Sequence, residues 1–396
     1  MQSTNYDPRG VKPTLKTILW QPSSRAQIIA DNAKRDARSY CLMYKIAIHP
    51  DNSLLGSGKR QSFSKRWAEM LGERGHVAHM VDAYSLDFFD QLDGCHAFMW
   101  WFPQMPGRGN WAKKLMLALD QALDIPLFPN RQSVWHFDDK IAQSYLLRAA
   151  GIPTPQTWVF WRYKDAIDFC RTARYPLVIK LASGIMARNV RMLRNFSDAR
   201  YWINRLFGPG VFSLEHPVNT ARKRARDYLR MLGKGLPLRP GRRADLHTNY
   251  LLIQEFLPGN DFDTRVVVIG NRIYGFRRWN RPGDFRASGS GRLDRNPEEV
   301  APDALRLAFR AARALQTESL SVDVLRRDGE PLISEVSYYY ERYGAAGCPG
   351  HWEVRGSDEM EWVEGQLPPE DAIMEDFLQL VGRRCENAVV ARNLLA

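Results

Sequence analysis

Ser321-Val-Asp323-Val-Leu-Arg-Arg-Asp328-Gly329-Glu-Pro-Leu-Ile-Ser-Glu335-Val-Ser337 is the stretch that decides the fold class of this chain. Two short runs of β-forming residues flank Asp328-Gly329, a dipeptide that closes tight hairpins because both positions tolerate a positive φ. Each run carries one acid among apolar neighbours, so the pairing predicts Asp323 and Glu335 at one place on a sheet. Two carboxylates so placed suit Mg²⁺, which takes a few carboxylates together with phosphate oxygens rather than an all-protein cage. Two solvated acids on a surface hairpin would give the same pattern, and the sequence upstream separates the two cases.

Working outward, Met43–Ile48, His76–Val81, Cys95–Trp101 and Ile125–Phe128 are predicted strands, with helical spacing at Ser62–Gly72 and Trp111–Leu123. Strands alternating with helices imply a parallel α/β layer over residues 41–130, Rossmann-like in type, after a polar extension at 1–40. A second unit opens with an amphipathic helix from Phe137 that stops at Gly151, followed by a strand at Trp158–Trp161 and a helix at Asp165–Arg174. Pro176–Leu181 is a buried strand carrying Lys180 at its end, and Asn189–Leu193 pairs with it across the loop Ala182–Arg188. These elements make a first subdomain, 131–250, with a basic insertion at 208–250. Leu251–Phe256, Asp263–Ile269 and Arg272–Arg277 are consecutive strands of a second subdomain, 251–343, where the helix Pro302–Gln316 precedes the acidic hairpin. Residues 344–396 form an acidic extension ending in a helix, Asp371–Leu395, with a break expected at Gly382.

Bulk properties bound the possibilities. At 396 residues, 44% apolar and 25% charged, the chain is too long for one ordinary core. Its longest aromatic run, 97–102, is too short to span a bilayer, and no charged-then-apolar leader opens it, so a cytoplasmic location without a membrane span is expected. Cys41, Cys95, Cys170, Cys348 and Cys385 lack any CxxC spacing, which argues for a reducing compartment and against a structural zinc. The net charge of +12 is uneven: residues 219–250 hold nine Lys or Arg against Asp227 and Asp245, while 345–376 hold nine acids against Arg355 alone. A uniform nucleic-acid-binding face would not look like this, and a solvated helical insertion accounts for the basic segment.

Three tempting motifs fail. Gly56-Ser-Gly58-Lys59 lacks the P-loop's earlier glycine and is followed by Arg60 rather than Ser or Thr. Gly107-Arg-Gly109-Asn-Trp-Ala112 lacks the ribose acid of a dinucleotide site and reads as a plain turn. Cys348-Pro-Gly-His351 places thiol and imidazole without a shared face, as a structured loop would.

Lys140, Lys180, Gln254-Glu255-Phe256-Leu257, Asp263-Thr-Arg265, Arg278, Gly283-Asp-Phe-Arg286 and the Asp323…Glu335 pair occur in an order that resembles the ATP-grasp superfamily. The likeness is to its carboxylate–amine ligases, in particular the branch with ribosomal-protein glutamate ligases, and more distantly to D-alanine–D-alanine ligase and glutathione synthetase. It runs from about Phe128 to Glu335 and implies an ATP-grasp fold, mixed α/β and α+β, with residues 41–130 as the domain that usually precedes it.

The resemblance further implies roles. Lys140 and Lys180 would hold the nucleotide phosphates, Gln254 to Leu257 the adenine, and Asp263 the ribose, with Asp261 as its rival. Asp323 and Glu335 would bind Mg²⁺ beside Ser337, which stands where the family usually has Asn. Arg265, Arg278 and Arg286 would stabilise the reacting phosphate and oxyanion. Ser288, in the small hydroxyl-rich loop Arg286–Gly291, would close over phosphates or acceptor, whereas the loop 182–188 has one glycine where such lids are often glycine-rich. The implied reaction joins small-molecule carboxylate and amine substrates through an acyl phosphate, commonly in a homodimer. Two other readings are a nucleotide-binding scaffold that has lost catalysis and an anionic-polymer binder using residues 219–250.

Overall fold

Alternating strands and helices build the first layer, as parallel strands require crossovers. Strands β1 (Lys45–His49), β2 (Val77–Met80), β3 (Ala97–Trp100) and β4 (Leu127–Phe128) lie in the order β2-β1-β3-β4, every pairing parallel. The helix Phe63–Glu73 begins where the Ser62 hydroxyl accepts the Lys65 N–H, and it buries Phe63, Trp67, Met70 and Leu71. The structure, a computed structural model, describes residues 43–51, 62–103, 108–184, 189–212, 245–356 and 359–395. The Gly56–Lys59 motif, the loop residues 185–188 and the basic residues 222–243 lie outside the described residues, as does Gly107; Arg108 already belongs to the helix Arg108–Ala122.

The second sheet is antiparallel. Strands β5 (Thr157–Phe160), β6 (Leu177–Lys180) and β7 (Val190–Leu193) are joined by β10 (Leu251–Glu255), which inserts to give β5-β10-β6-β7. Between β7 and β10 in sequence, β8 (Val211–Phe212) and β9 (Leu246–His247) form a separate pair. Helices Tyr163–Thr172 and Phe196–Leu206 cover the sheet through Ala166, Ile167, Cys170, Ala199, Ile203 and Leu206.

The third sheet carries the hairpin. It comprises β11 (Phe262–Ile269), β12 (Arg272–Trp279), β13 (Leu293–Asp294), β14 (Ser319–Arg327), β15 (Glu330–Ser337), β16 (Gly350–Arg355) and β17 (Glu359–Glu364). Their order is β15-β14-β11-β12-β16-β17, with β13 on β12. One face buries Val266, Val268, Leu320, Val322 and Val324 under the helix Pro302–Ala314. The other contributes Val267, Ile269, Tyr274 and Phe276 to a core continuous with the first layer, so packing does not break at the boundary expected near residue 130. All these elements lie within the compact unit Tyr44–Ala396.

Residues 344–396 differ from an acidic extension. They extend the third sheet by β16 and β17 and close the first core with Ile373, Met374, Phe377 and Val381 of the helix Pro369–Leu395. That helix runs through Gly382 unbroken, and the glycine faces Tyr44, whose hydroxyl would lie 3.4 Å from an added Cβ. The alternation in 350–364 is blurred by Glu on both faces, Glu364 sharing the face of Trp352 and Trp362, which hid the strands. Gly350 opens β16 against its partner: a Cβ there would stand 2.3 Å from the Val363 carbonyl oxygen and 2.6 Å from the Trp362 ring. Gly350→Ala is therefore expected to lower unfolding free energy by about 1–3 kcal/mol, as overpacking does; a urea midpoint equal to wild type would refute the close packing of this edge.

Candidate active site

The hairpin turn has the geometry its sequence predicts, with φ of 50° at Asp328 and 89° at Gly329. A two-residue turn alone, however, would set Asp323 opposite Ser334 and send Glu335 to the other face. The register shifts after Val324–Ile333, so that Asp323 pairs with Glu335 and Ser334 is the extra residue of a bulge. The bulge brings both acids to one face and turns the Ser334 carbonyl outward, where the Lys180 ammonium donates to it at 3.3 Å.

Strand period does the rest. Asp263 and Arg265 are two apart on β11; Arg278 lies opposite Asp263 on β12, and Asp323 opposite Arg265 on β14. All share the face of Glu335. Arg265 grips Asp323 by two bonds of 2.6 and 2.8 Å, and Arg278 adds a third at 2.7 Å. Arg278 also holds both oxygens of Asp263, at 2.7 and 2.6 Å. Burial alone would raise the Asp323 carboxyl, but the two guanidiniums outweigh it and hold it well below the usual carboxylate range. Burial pushes Asp263 up, with Arg278 opposing.

Two lysines approach Glu335 from the other side. The helix Lys140–Ala149 starts later than the sequence pattern indicates, because Asp139 caps it by accepting from the Ile141 and Ala142 N–H groups. Lys140 is thereby in the first turn, buried, with its ammonium 3.3 Å from Glu335 Oε1 and donating to the Gly184 carbonyl at 3.2 Å. Burial would lower its pKa, yet Glu335 and Asp138 hold it raised. Lys180, at the end of β6, is instead pushed down to about 8 by burial, partly relieved by Glu335 and aggravated by Lys140.

The remaining candidates are placed as follows. Gln254 is buried and donates to the Thr157 hydroxyl at 3.0 Å. The Glu255 side chain bridges to Arg327. The Phe256 ring meets Phe285 edge-on at 5.8 Å, and Leu257 is buried. Arg286 is clamped by Asp284 and donates to the Val190 carbonyl at 3.3 Å, reaching from the loop after β12 to β7. The Ser288 carbonyl accepts from Arg281 at 2.6 Å, and Gly289 and Gly291 both take φ of 74°. The Ser337 hydroxyl donates to the Tyr339 carbonyl at 2.8 Å, in a local turn. Cys348 is buried with its thiol pushed up to about 12 by burial, and His351 lies in β16 stacked on Tyr274, so no thiol–imidazole site exists there.

Asp138 is the residue that sequence reasoning missed. It sits at φ 52°, its carboxylate accepts the Gly184 N–H at 2.8 Å, and burial pushes it up to about 6 against the pull of Lys140. Lys140 on the carbonyl and Asp138 on the amide fix Gly184 from both sides. Gly184 has φ of 127°, and a Cβ there would stand 2.2 Å from Asn189 Nδ2. The only sequence signal was the doubled acid before Lys140.

The donor set fits a magnesium nucleotide. Two carboxylates face each other with lysines on one side and arginines on the other. Among the described residues no group of three or more His, Cys, Asp and Glu makes a self-sufficient metal cage. Mg²⁺ bound by two carboxylates and phosphate oxygens needs none. Among those residues, too, no helix is long and apolar enough to cross a membrane.

Residues 242–340 match the RimK-like ATP-grasp domain family. The ribosomal protein bS6–L-glutamate ligase of Escherichia coli O139:H28 is 29% identical over 233 residues, covering 57% of this chain and 63% of that protein. The same-named protein of Salmonella paratyphi B is 24% identical over 239 residues, covering 59% and 65%. The match thus spans less than two thirds of the length of these relatives. In fold alone the chain resembles the crystal structure of D-cycloserine synthetase DcsG, with a TM-score of 0.50 at 14% identity over 86% of this chain and 99% of that one. The likeness to the RimK-like ATP-grasp domain family thus covers residues 242–340 of this chain.

Proposed function

We propose that the protein is a cytoplasmic ATP-dependent ligase that joins a carboxylate to an amine with release of ADP and phosphate. The observation that carries this reading is the bulged hairpin, which sets Asp323 and Glu335 side by side between two lysines and two arginines. No side-chain nucleophile is needed. An oxygen of the carboxylate attacks the γ-phosphorus and the bond to ADP breaks; the amine nitrogen then attacks the acyl carbon, phosphate leaves, and the amine's proton passes to solvent. Positioning and charge stabilisation carry such transfers.

The residues divide the work. Lys140 and Lys180 would pair with phosphate oxygens, exchanging their present partners, the Gly184 and Ser334 carbonyls, for a stronger anion. Asp323 and Glu335 would hold Mg²⁺, which supplies charge neutralisation at the phosphates. Arg265 and Arg278 keep Asp323 ionised. Asp263, with both oxygens on Arg278, acts here as a positioning residue, which leaves the ribose to its rival Asp261. Arg286, spanning the two subdomains, would meet the transferred phosphoryl or the acceptor. A second reading, nucleotide binding without turnover, draws on Asp323 being tied to two arginines and on the Ser337 hydroxyl being tied to Tyr339.

Calorimetry of ATP with and without Mg²⁺, on wild type and on Asp323→Asn/Glu335→Gln, tests the site. Metal-dependent binding in wild type that the double variant loses is the expected result. Binding indifferent to metal and to both acids would refute the ligase reading. Binding without ADP release across a panel of amino acids and short peptides would favour the second one.

A further inference from the structure

Lys140 is held by its backbone as well as by its ammonium. It is the first residue of its helix, and first-turn N–H groups find no acceptor within the helix. Asp139 takes those of Ile141 and Ala142. The Lys140 N–H goes outside, to the Ala182 carbonyl at 2.9 Å, while the ammonium donates to the Gly184 carbonyl at 3.2 Å. Both ends of Lys140 thus depend on residues 182–184, which follow β6. Whatever fixes that segment fixes Lys140.

At Ala182 a side-chain hydroxyl does the fixing. β10 runs against β6 with Leu252 on Lys180, and the same register, continued by two residues, sets Tyr250 against Ala182. The ladder has ended there, and the Tyr250 hydroxyl accepts the Ala182 N–H at 2.7 Å. The chain enters β10 through a defined turn. Asn249 takes φ of 60°, a conformation that Asn tolerates, and its N–H donates to the Leu206 carbonyl at 2.8 Å. The Thr248 hydroxyl joins the same carbonyl at 3.2 Å. Tyr250 is buried, and its hydroxyl hydrogen is left for His247 Nδ1, 2.8 Å away. Burial lowers His247, which keeps the imidazole neutral and able to accept. The phenol is therefore acceptor and donor at once. The neighbouring residues are tied by other groups: the Ser183 carbonyl accepts from the Asn189 amide at 2.7 Å, and the Gly184 N–H donates to Asp138 at 2.8 Å.

We propose that Tyr250 is a positioning residue for Lys140, setting through Ala182 where the ammonium stands beside Glu335. The assignment rests on the ligase reading, which gives that ammonium a phosphate to meet. Tyr250 acts on Lys140 through one residue, gripping Ala182 at its amide while the Ala182 carbonyl passes the constraint on. A phenylalanine in its place keeps the ring and leaves the Ala182 N–H without its acceptor. Ala182 then turns toward another acceptor, and the carbonyl that anchors Lys140 moves with it.

Amide exchange on the nucleotide-free full chain and calorimetry with ATP and Mg²⁺ test this in two arms. In the first, Tyr250→Phe should speed exchange of the Ala182 and Lys140 amides by about tenfold. Ile141 and Ala142, capped by Asp139, and Ile253 within β10 should keep wild-type rates. In the second, Tyr250→Phe should weaken ATP binding about tenfold in the wild-type background and less than about twofold in Lys140→Met. Residues that act through one group are non-additive, whereas a loosened fold costs both backgrounds alike. An unchanged Lys140 amide, an equal loss in both backgrounds, or no loss at all would each overturn the proposal. So would a Tyr250→Phe chain that fails to fold or loses protection throughout β10, since the hydroxyl would then serve the sheet. Wild type that binds no ATP in the presence of Mg²⁺ would refute the ligase reading and this role with it. The exchange arm needs no nucleotide, so it separates that failure from a failure of Tyr250 to hold Lys140.

Discussion

Arg278→Met is expected to lower the free energy of unfolding by about 3–5 kcal/mol, the usual cost of breaking a buried ion pair from one side. Arg278 stands between two buried carboxylates, holding both oxygens of Asp263 and one of Asp323. Asp323 keeps Arg265, but Asp263 is left without the cation that offsets its burial. Its carboxyl, already raised by burial, must then rise further. A carboxyl whose pKa is higher in the folded state than in the unfolded one binds the extra proton in the folded state, so stability falls as pH rises between the two values. The variant's deficit should accordingly be larger at pH 8 than at pH 5. Asp263→Asn/Arg278→Met should recover part of the loss, because the stranded charge is gone. Urea unfolding at the two pH values decides the matter: a deficit under about 1 kcal/mol, or one that shrinks with rising pH, is incompatible with this network.

The clamp also shows where sequence stops being informative. Strands β11, β12, β14 and β15 of the third sheet were legible from β-formers and turn residues, the two-residue β13 was not, and Asp328-Gly329 fixed the hairpin at a glance. The facing of Asp323 and Glu335 was not deducible from that turn, since a regular two-residue hairpin puts them on opposite faces. The bulge at Ser334 makes the pairing, and a bulge has no local signature here beyond an ordinary serine. Lys140 and Lys180 were picked out by their order in the resemblance, and only Lys180 also by its setting at the end of a strand. Their convergence on Glu335 and Ser334 depends on how two sheets pack, which residue spacing does not encode. Asp138 escaped for a related reason: its role is set by a positive φ and by a glycine 46 residues away in sequence. The strands β16 and β17 were lost because charged residues masked their alternation, so a structural part of the sheet looked like an acidic tail.

Lys180→Met should move stability and binding in opposite directions. The free protein holds a buried ammonium whose pKa has dropped from 10.5 to about 8. That depression is a folding cost at neutral pH, because the unfolded chain carries the same charge in water. Replacing the charge with a thioether of similar reach should raise unfolding free energy by about 1–3 kcal/mol, after allowing for the lost bond to Ser334. Nucleotide affinity should fall about 10- to 150-fold, the worth of a charged hydrogen bond to phosphate. The sign of the pH dependence follows from the same shift. Below pH 8 the ammonium is present in both the free and the bound protein. Above 8 the free protein loses its proton, while a bound triphosphate keeps it on Lys180 to higher pH. Wild-type affinity should therefore decline by up to about tenfold per pH unit above 8, with proton uptake on binding. In the wild-type free protein, stability rises over the same interval, since the unfolded chain holds the proton that the folded one has released. Calorimetric titration at pH 7, 8 and 9 in buffers of different ionisation enthalpy measures affinity and proton uptake, and urea unfolding at the same pH values measures stability. A flat wild-type affinity, or an equal slope in Lys180→Met, would show that Lys180 does not meet the phosphates. A variant less stable than wild type would instead show that the ammonium supports the fold more than it strains it.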